Sequence, residues 1–234
     1  MKRMGVLGGM SAQATMDFEA RVHRCSQRLI PQDWGRGYPP MVVCYHRDLP
    51  LRLGDDGRPL EPRQIDPRLV EAAARLAPLV DFLVMPCNAA HAGLAELREA
   101  TRRPLLSMIE VVLDDVVRRQ CRRVGVLGAR GAPPQYVDGL RQRGIAYETI
   151  DAALQQRVDA GIQAVMEGRE GKDEREAARE AVATLRARAV DAVVLGCTEI
   201  PLLLGEESDA PDLVNPAALL AEAAVRFAIA TPAF

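Results

Sequence analysis

The chain has 234 residues, 48% of them hydrophobic and 26% charged, with a formal net charge of −2. This is globular composition with enough apolar material for one large domain or two small ones. The near-neutral balance excludes the basic face that a nucleic-acid partner or a membrane surface selects for, and no apolar run reaches the ~18 residues of a transmembrane helix.

In chain order, the predicted strands are 3–7, 41–45, 81–86, 123–127, 146–150 and 191–195. They are short, rich in Val and Leu, and often end at Gly or Pro, as buried parallel strands do. The predicted helices are 12–29, 67–78, 90–101, 108–120, 134–143, 153–167, 174–188 and 216–230. Asp66-Pro67 and Asn215-Pro216 are start signals, a capping residue followed by Pro at the first helical position. Residues 54–64, with two Gly and two Pro, read as a mobile loop, and 168–173 as a second, charged break. The chain opens directly on the apolar run Met4-Gly5-Val6-Leu7, which reads as a strand and not as a signal peptide. Strand–helix alternation of this kind predicts an α/β fold with parallel sheets.

The chain also echoes itself. Met4-Gly5-Val6-Leu7-Gly8 returns as Val124-Gly125-Val126-Leu127-Gly128, and Asp81 to Asn88 returns as Asp191 to Thr198. A cysteine stands at the same offset from each aspartate: Cys87 and Cys197. Two similar halves are therefore expected, 1–105 and 106–215, with the segment 216–234 packing back on the first. In open α/β sheets ligands bind at the carboxyl ends of the strands. Four segments end strands here: Gly8-Gly9-Met10-Ser11, Pro86-Cys87-Asn88, Gly128-Ala129-Arg130-Gly131 and Gly196-Cys197-Thr198. Two such halves facing each other bring Cys87 and Cys197 to opposite sides of one cleft.

The five cysteines have no Cys-x-x-Cys spacing, and with the three histidines they offer no paired metal-ligand spacing. Free thiols in a reducing cytoplasm are expected, and no metal. Cys25, Cys44 and Cys121 read as small buried hydrophobes. Cys87 and Cys197, repeated in position and each followed by a small polar residue, read as functional. Of the 30 basic residues only Lys2 and Lys172 are lysines, one near the terminus and one in a charged run. Neither suits a buried Schiff base, so no pyridoxal-phosphate cofactor is expected. Two opposed thiols suggest inversion of a carbon centre: one thiolate removes a proton from one face and the other, as thiol, returns one to the opposite face. The carbanion formed between the two steps needs electrostatic stabilisation by backbone N–H groups and an arginine.

The motifs Val6-Leu7-Gly8-Gly9-Met10-Ser11, Met85-Pro86-Cys87-Asn88-Ala89-Ala90-His91 and Gly196-Cys197-Thr198-Glu199-Ile200-Pro201 resemble those of the aspartate/glutamate (Asp/Glu/hydantoin) racemase family, in an order that covers nearly the whole chain. The resemblance implies two similar Rossmann-like lobes related by pseudo-two-fold symmetry, with the active site between them. It implies a cofactor-independent, commonly dimeric enzyme acting on a small-molecule amino acid. Carried over residue by residue, it makes Cys87 and Cys197 the catalytic acid/bases and places Met10, Arg52, Asn88, Ala89, Ala132, Glu167, Thr198 and Glu199 at the substrate. Arg52 matches an arginine that contacts a substrate carboxylate, with a solvated surface charge as the other reading; Glu199, two residues after Cys197, is expected either to set the proton affinity of that thiol or to be a solvated carboxylate. His91, one helical turn after Cys87, is expected in a helix-cap or structural role ahead of a Cys–His pair.

The chain departs from the family pattern at three positions. Ala89 and Ala132 stand where aspartate racemases often have Thr, and Glu167 stands where some have a substrate-binding lysine. Hydrogen bonds to charged groups are worth ~1.5–3 kcal/mol each, so free aspartate is expected to be a poor substrate. A related isomerase, of the hydantoin racemase or maleate isomerase type, and a non-catalytic binding homologue are the competing readings.

Overall fold

The computed structural model describes residues 1–55 and 59–230. Residues 56–58 of the expected 54–64 loop, and 231–234 of the last segment, lie outside the described residues. The chain divides into two compact units, one built from residues 1–108 and 217–234 and the other from 109–216.

The first unit holds a four-stranded parallel sheet of β1 (Met4–Gly8), β2 (Met41–Tyr45), β3 (Phe82–Val84) and β4 (Leu105–Leu106), in the order β2-β1-β3-β4. The second holds β5 (Arg123–Leu127), β6 (Ala146–Glu148), β7 (Ala192–Leu195) and β8 (Leu213–Val214), in the order β6-β5-β7-β8. The two orders are the same once the strands are renumbered within each unit, so the sequence echo is an echo of topology. It extends to single hydrogen bonds. Asp81 accepts from the Arg3 amide at 2.6 Å and Asp191 from the Arg123 amide at 2.9 Å. In return the Asp81 and Asp191 amides donate to the Arg3 and Arg123 carbonyls. In each unit this aspartate sets the start of the cysteine-bearing strand against the central one.

The central strands β1, β3 and β7, and β5 beyond Arg123, are buried because helices supply apolar side chains over them. In the first unit Leu69, Ala73 and Leu76 of α2 (Pro67–Leu76) and Leu97 of α3 (Leu94–Thr101) pack with Leu7, Leu83 and Met85. In the second, α6 (Ala152–Glu167) and α7 (Lys172–Arg186) bring Val158, Ile162, Ala181 and Leu185 onto Leu127, Val193 and Leu195. The remaining helices are α1 (Ala12–Leu29), α4 (Met108–Arg118), α5 (Pro134–Gln142), α8 (Ile200–Leu204) and α9 (Pro216–Ile229). α9 belongs to the first unit: Phe227 stacks on Phe82 with ring centroids 4.8 Å apart, and Glu222 pairs with Arg28 at 2.6 Å.

Several element ends differ from expectation. β3 stops at Val84 instead of 86, because Pro86 has no N–H to continue a ladder. The helix expected over 90–101 is a 3₁₀ stretch over Ala89–Gly93 followed by α3, and the one over 67–78 ends at Leu76 with a 3₁₀ turn at Ala77–Leu79. The helix expected over 174–188 runs two residues earlier, from Lys172 to Arg186, because the Glu174 side chain caps the Gly171 amide at 2.9 Å. β4, β8 and α8 leave no signal in the sequence: two-residue strands and a five-residue helix are too short to show a period. The described flanks of the 54–64 segment are tied in antiparallel bridges, Leu51 to Ile65 and Leu53 to Pro59.

Asp66 caps α2 as its sequence signal predicts, its carboxylate accepting from the Arg68 amide at 2.8 Å. Hydrogen bonds from the Arg68 side chain and amide hold its carboxyl at about 2, down from 3.8. A depressed folded-state value stabilises above the unfolded value and is lost as pH falls through the folded one. Asp66→Ala is therefore expected to cost about 1 kcal/mol at neutral pH. In urea unfolding the gap from the parent should narrow between 3.8 and about 2. A gap independent of pH would show that the ion pair contributes nothing.

Candidate active site

The cysteine motifs follow β3 and β7, each of which lies beside its unit's central strand. After Val84 the chain makes a tight turn, the Cys87 amide donating to the Met85 carbonyl at 2.8 Å, and enters the 3₁₀ stretch. Cys87 is half-buried and packs against the cluster that holds Met10, Ile65 and Ala90. Asn88 is buried beside it and Ala89 is partly exposed. The structure thus brings Met10, Cys87, Asn88 and Ala89 to one edge of the first sheet.

His91 is fixed by main-chain groups on both sides of its ring. Nδ1 lies 2.8 Å from the Cys87 carbonyl oxygen, and Nε2 accepts from the Met108 amide at 2.9 Å. An acceptor Nε2 requires the proton on Nδ1, so the imidazole is neutral and donates to the Cys87 carbonyl. It anchors the thiol's backbone to the start of α4, the structural role expected of it.

Gly9 shapes the neighbouring turn. It sits at φ +86, and a Cβ there would lie 2.6 Å from the His46 nitrogen and the Tyr45 Cα. Only glycine lets the β1–α1 turn approach the end of β2 so closely. Thr15 completes the turn, accepting from the Gly9 amide and donating to the Ser11 carbonyl, both at 2.8 Å. Ser11 caps α1.

In the second unit the Gly196 amide donates to the Leu127 carbonyl at 2.7 Å, and a Cβ on Gly196 would meet that oxygen at 2.6 Å. Cys197 follows, half-buried against the core of its unit. Its Sγ donates to Glu199 Oε2 at 2.9 Å, and the Thr198 hydroxyl donates to the same oxygen at 3.1 Å. Glu199 is only 4% exposed. Cys197, Thr198 and Glu199 are therefore one hydrogen-bonded group, and in this arrangement the thiol carries its proton. The residue two places after Cys87 is Ala89, so the two thiols, alike in backbone position, differ in this neighbour.

Ala132 is partly exposed in the turn after β5. α6 holds that turn in place: Gln155 donates to the Gly128 carbonyl at 2.9 Å and Asp159 accepts from the Arg130 amide at 2.8 Å. Glu167 ends α6 about 12 Å further along the axis than Asp159. Its exposed carboxylate is held below the usual range by hydrogen bonds from Gln163 and Arg169. Arg52 is exposed on the bridged segment after β2, bonded to the Gln64 side chain at 3.0 Å. Within their own units, no described hydrogen bond joins Arg52 to Cys87 or Glu167 to Cys197.

The other cysteines contrast with this pair. Cys25 and Cys121 are buried and desolvation raises both thiols above their ordinary value. Cys44 is partly buried against the first unit's core. Sequence reasoning missed Thr15, Gln155 and Asp159, which brace the strand-end turns. The spacing Ser11–Thr15, one helical turn, was the available signal for the first; the other two act across 27 and 29 residues and had none. Among the described residues no group of three His, Cys, Asp or Glu side chains is arranged to hold a metal, and no helix is long and apolar enough to cross a membrane.

Two parallel α/β units of one topology, each with a thiol just after the same strand, define a duplicated α/β protein with a cysteine motif in each half. The chain belongs to the Asp/Glu/hydantoin racemase family, whose model matches residues 7–224, and is thus an isomerase of the racemase type. It is 22% identical over 223 residues to the broad specificity amino-acid racemase RacX of Bacillus subtilis, covering 95% of this chain and 96% of that protein. Among solved structures it resembles an aspartate racemase homologue from Pyrococcus horikoshii (18% identity, TM-score 0.75, 97% of this chain and 99% of the other). It also resembles the aspartate racemase of Picrophilus torridus (20%, 0.74, 97% and 94%). A maleate isomerase from Pseudomonas putida shares the fold at lower similarity (16%, 0.60, 96% and 92%).

Proposed function

We propose that this protein is a cofactor-independent amino-acid racemase in which Cys87 and Cys197 act as the two acid/bases on opposite faces of the substrate α-carbon. The observation that carries the reading is the repetition of a half-buried thiol, followed by a small polar residue, after equivalent strands of two units with one topology. One thiolate takes the α-proton, the bond's electron pair passes into the carboxylate as an enediolate, and the opposite thiol returns a proton to the other face. The two thiols end with exchanged protonation states, so the reverse reaction starts from the form the forward one leaves. Glu199 accepts the Cys197 proton in a hydrogen bond and so presents Cys197 as the initial proton donor. Asn88 and Thr198, buried beside the thiols, are the polar groups nearest the reaction, and backbone N–H groups after the strands stabilise the enediolate.

The substrate is a small acidic or polar amino acid. Met10, Ala89 and Ala132 line its surroundings, with Arg52 recruited to a carboxylate from its exposed position and Glu167 setting specificity from the end of α6. The enzyme is read as a cytoplasmic homodimer; its five free cysteines suit a reducing compartment. The test is a panel of L- and D-amino acids, with maleate and a hydantoin included, followed by circular dichroism after exhaustive treatment with a chelator and without pyridoxal phosphate. Inversion of at least one amino acid supports the reading. Turnover of maleate or hydantoin alone assigns the competing isomerase activity, and no turnover assigns a binding role. Within the panel, aspartate should be a poor substrate. Ala89→Thr, which restores a hydroxyl beside Asn88, should raise its kcat/KM by about tenfold, the worth of one hydrogen bond to a charged group. An unchanged aspartate rate would remove Ala89 from substrate recognition.

A further inference from the structure

His46 follows β2 directly, and its amide donates to the Gly8 carbonyl at 2.8 Å, which places it beside the Gly9 turn. Side chains two apart along a strand share a face. Val42 and Cys44 pack against the cluster of Met10, Ile65, Ala90 and Cys87, so His46 continues their row to the carboxyl end of that face. The imidazole also lies near the Asp66 carboxylate that caps α2. His46 is 9% exposed, and its buried Nε2 has no hydrogen-bond partner. A buried imidazole nitrogen left unpaired is costly whether it is donor or acceptor, and such groups are nearly always satisfied by protein, water or ligand. The contrast with His91, both of whose ring nitrogens are engaged by the main chain, is direct.

We propose that His46 is a specificity-determining residue: its Nε2–H donates to the side-chain oxygen of an acidic or amide amino acid bound against Cys87. The proposal rests on the racemase reading and deepens it. It assigns the polar end of the substrate to the β2 edge of the first unit, where the unsatisfied Nε2, carrying the ring proton as its donor tautomer, stands on the same face as the thiol. Aliphatic amino acids leave the donor unpaired and gain nothing from it.

Two measurements on the intact protein test this. In the first, the imidazole ¹⁵N resonances are followed while aspartate, asparagine, glutamate, glutamine or alanine is added. With three histidines in the chain, comparison with His46→Gln assigns the signal. The polar amino acids should shift the His46 Nε2 resonance and alanine should not. In the second, kcat/KM and binding are compared for His46→Leu and His46→Gln. His46→Leu should lose at least about tenfold on the polar amino acids relative to alanine, and His46→Gln, which keeps an N–H donor, should recover most of that loss. An equal loss on all amino acids, or a polar ligand that binds without moving the resonance, overturns the role of His46 and leaves the racemase reading standing. If the parent protein neither exchanges an α-proton nor binds any amino acid, both fall together.

Discussion

Cys87→Ala and Cys197→Ala should each stop racemisation, with the rate falling by about three orders of magnitude or more, because inversion needs both proton transfers. The informative measurement is exchange in deuterated water. Each variant keeps one thiol and with it access to one face of the α-carbon. One variant should wash the α-proton out of the L-enantiomer and the other out of the D-enantiomer, each without inversion. Both variants should fold, since the two cysteines are half-buried and neither is bonded to another cysteine. A variant that still inverts at close to the parent rate would falsify the two-thiol mechanism at that position.

Glu199→Ala should lower kcat by about one to two orders of magnitude, leave KM nearly unchanged, and alter the pH profile. Glu199 Oε2 accepts from the Cys197 thiol at 2.9 Å, and the carboxylate itself is buried. A negative charge at that distance disfavours a second one on sulfur. Without it the thiolate forms at lower pH, so the alkaline limb that reports loss of the proton donor should move down. Glu199→Gln keeps the hydrogen-bonding shape without the charge and should restore the fold around Thr198 but not the position of the limb. If both variants match the parent in kcat and in pH profile, Glu199 only braces the loop. The asymmetry also predicts different labelling by an alkylating reagent, Cys197 becoming faster in Glu199→Ala while Cys87 stays as it was.

Much of this was legible in the sequence because the chain states it twice. The echo of Met4–Gly8 in 124–128, and of Asp81–Asn88 in 191–198, foretold two units of one topology, and the aspartates at the start of each echo bond their neighbouring strands in the same way. Helix starts were readable where a cap and a proline stood together, as at Asp66-Pro67. The short elements were not readable, since β4 and β8 earn their place by pairing with β3 and β7, contacts between residues 20 or more positions apart. Of the candidate site, the sequence carried backbone position: Cys87-Asn88 and Cys197-Thr198 each follow the equivalent strand of their unit. The Glu199 carboxylate turned onto sulfur and the open nitrogen of His46 depend on side-chain direction, which motif spacing does not encode. For Arg52 and Glu167 the alignment marks a place along the chain, and the structure adds their hydrogen bonds, to Gln64 and to Gln163 and Arg169.

The return of α9 to the first unit makes that unit discontinuous in the chain, and this has a consequence for the order of assembly. The second unit is complete in sequence once residue 216 has been made. The first is not, although its sheet is finished 110 residues earlier, at Leu106. Until Phe227 arrives, Phe82 lacks the ring that stacks on it, and the Lys2 amide lacks the Ala228 carbonyl to which it donates at 2.8 Å. On the ribosome the half that begins first therefore closes last, and its apolar flank is left for a chaperone or a neighbouring nascent chain to meet.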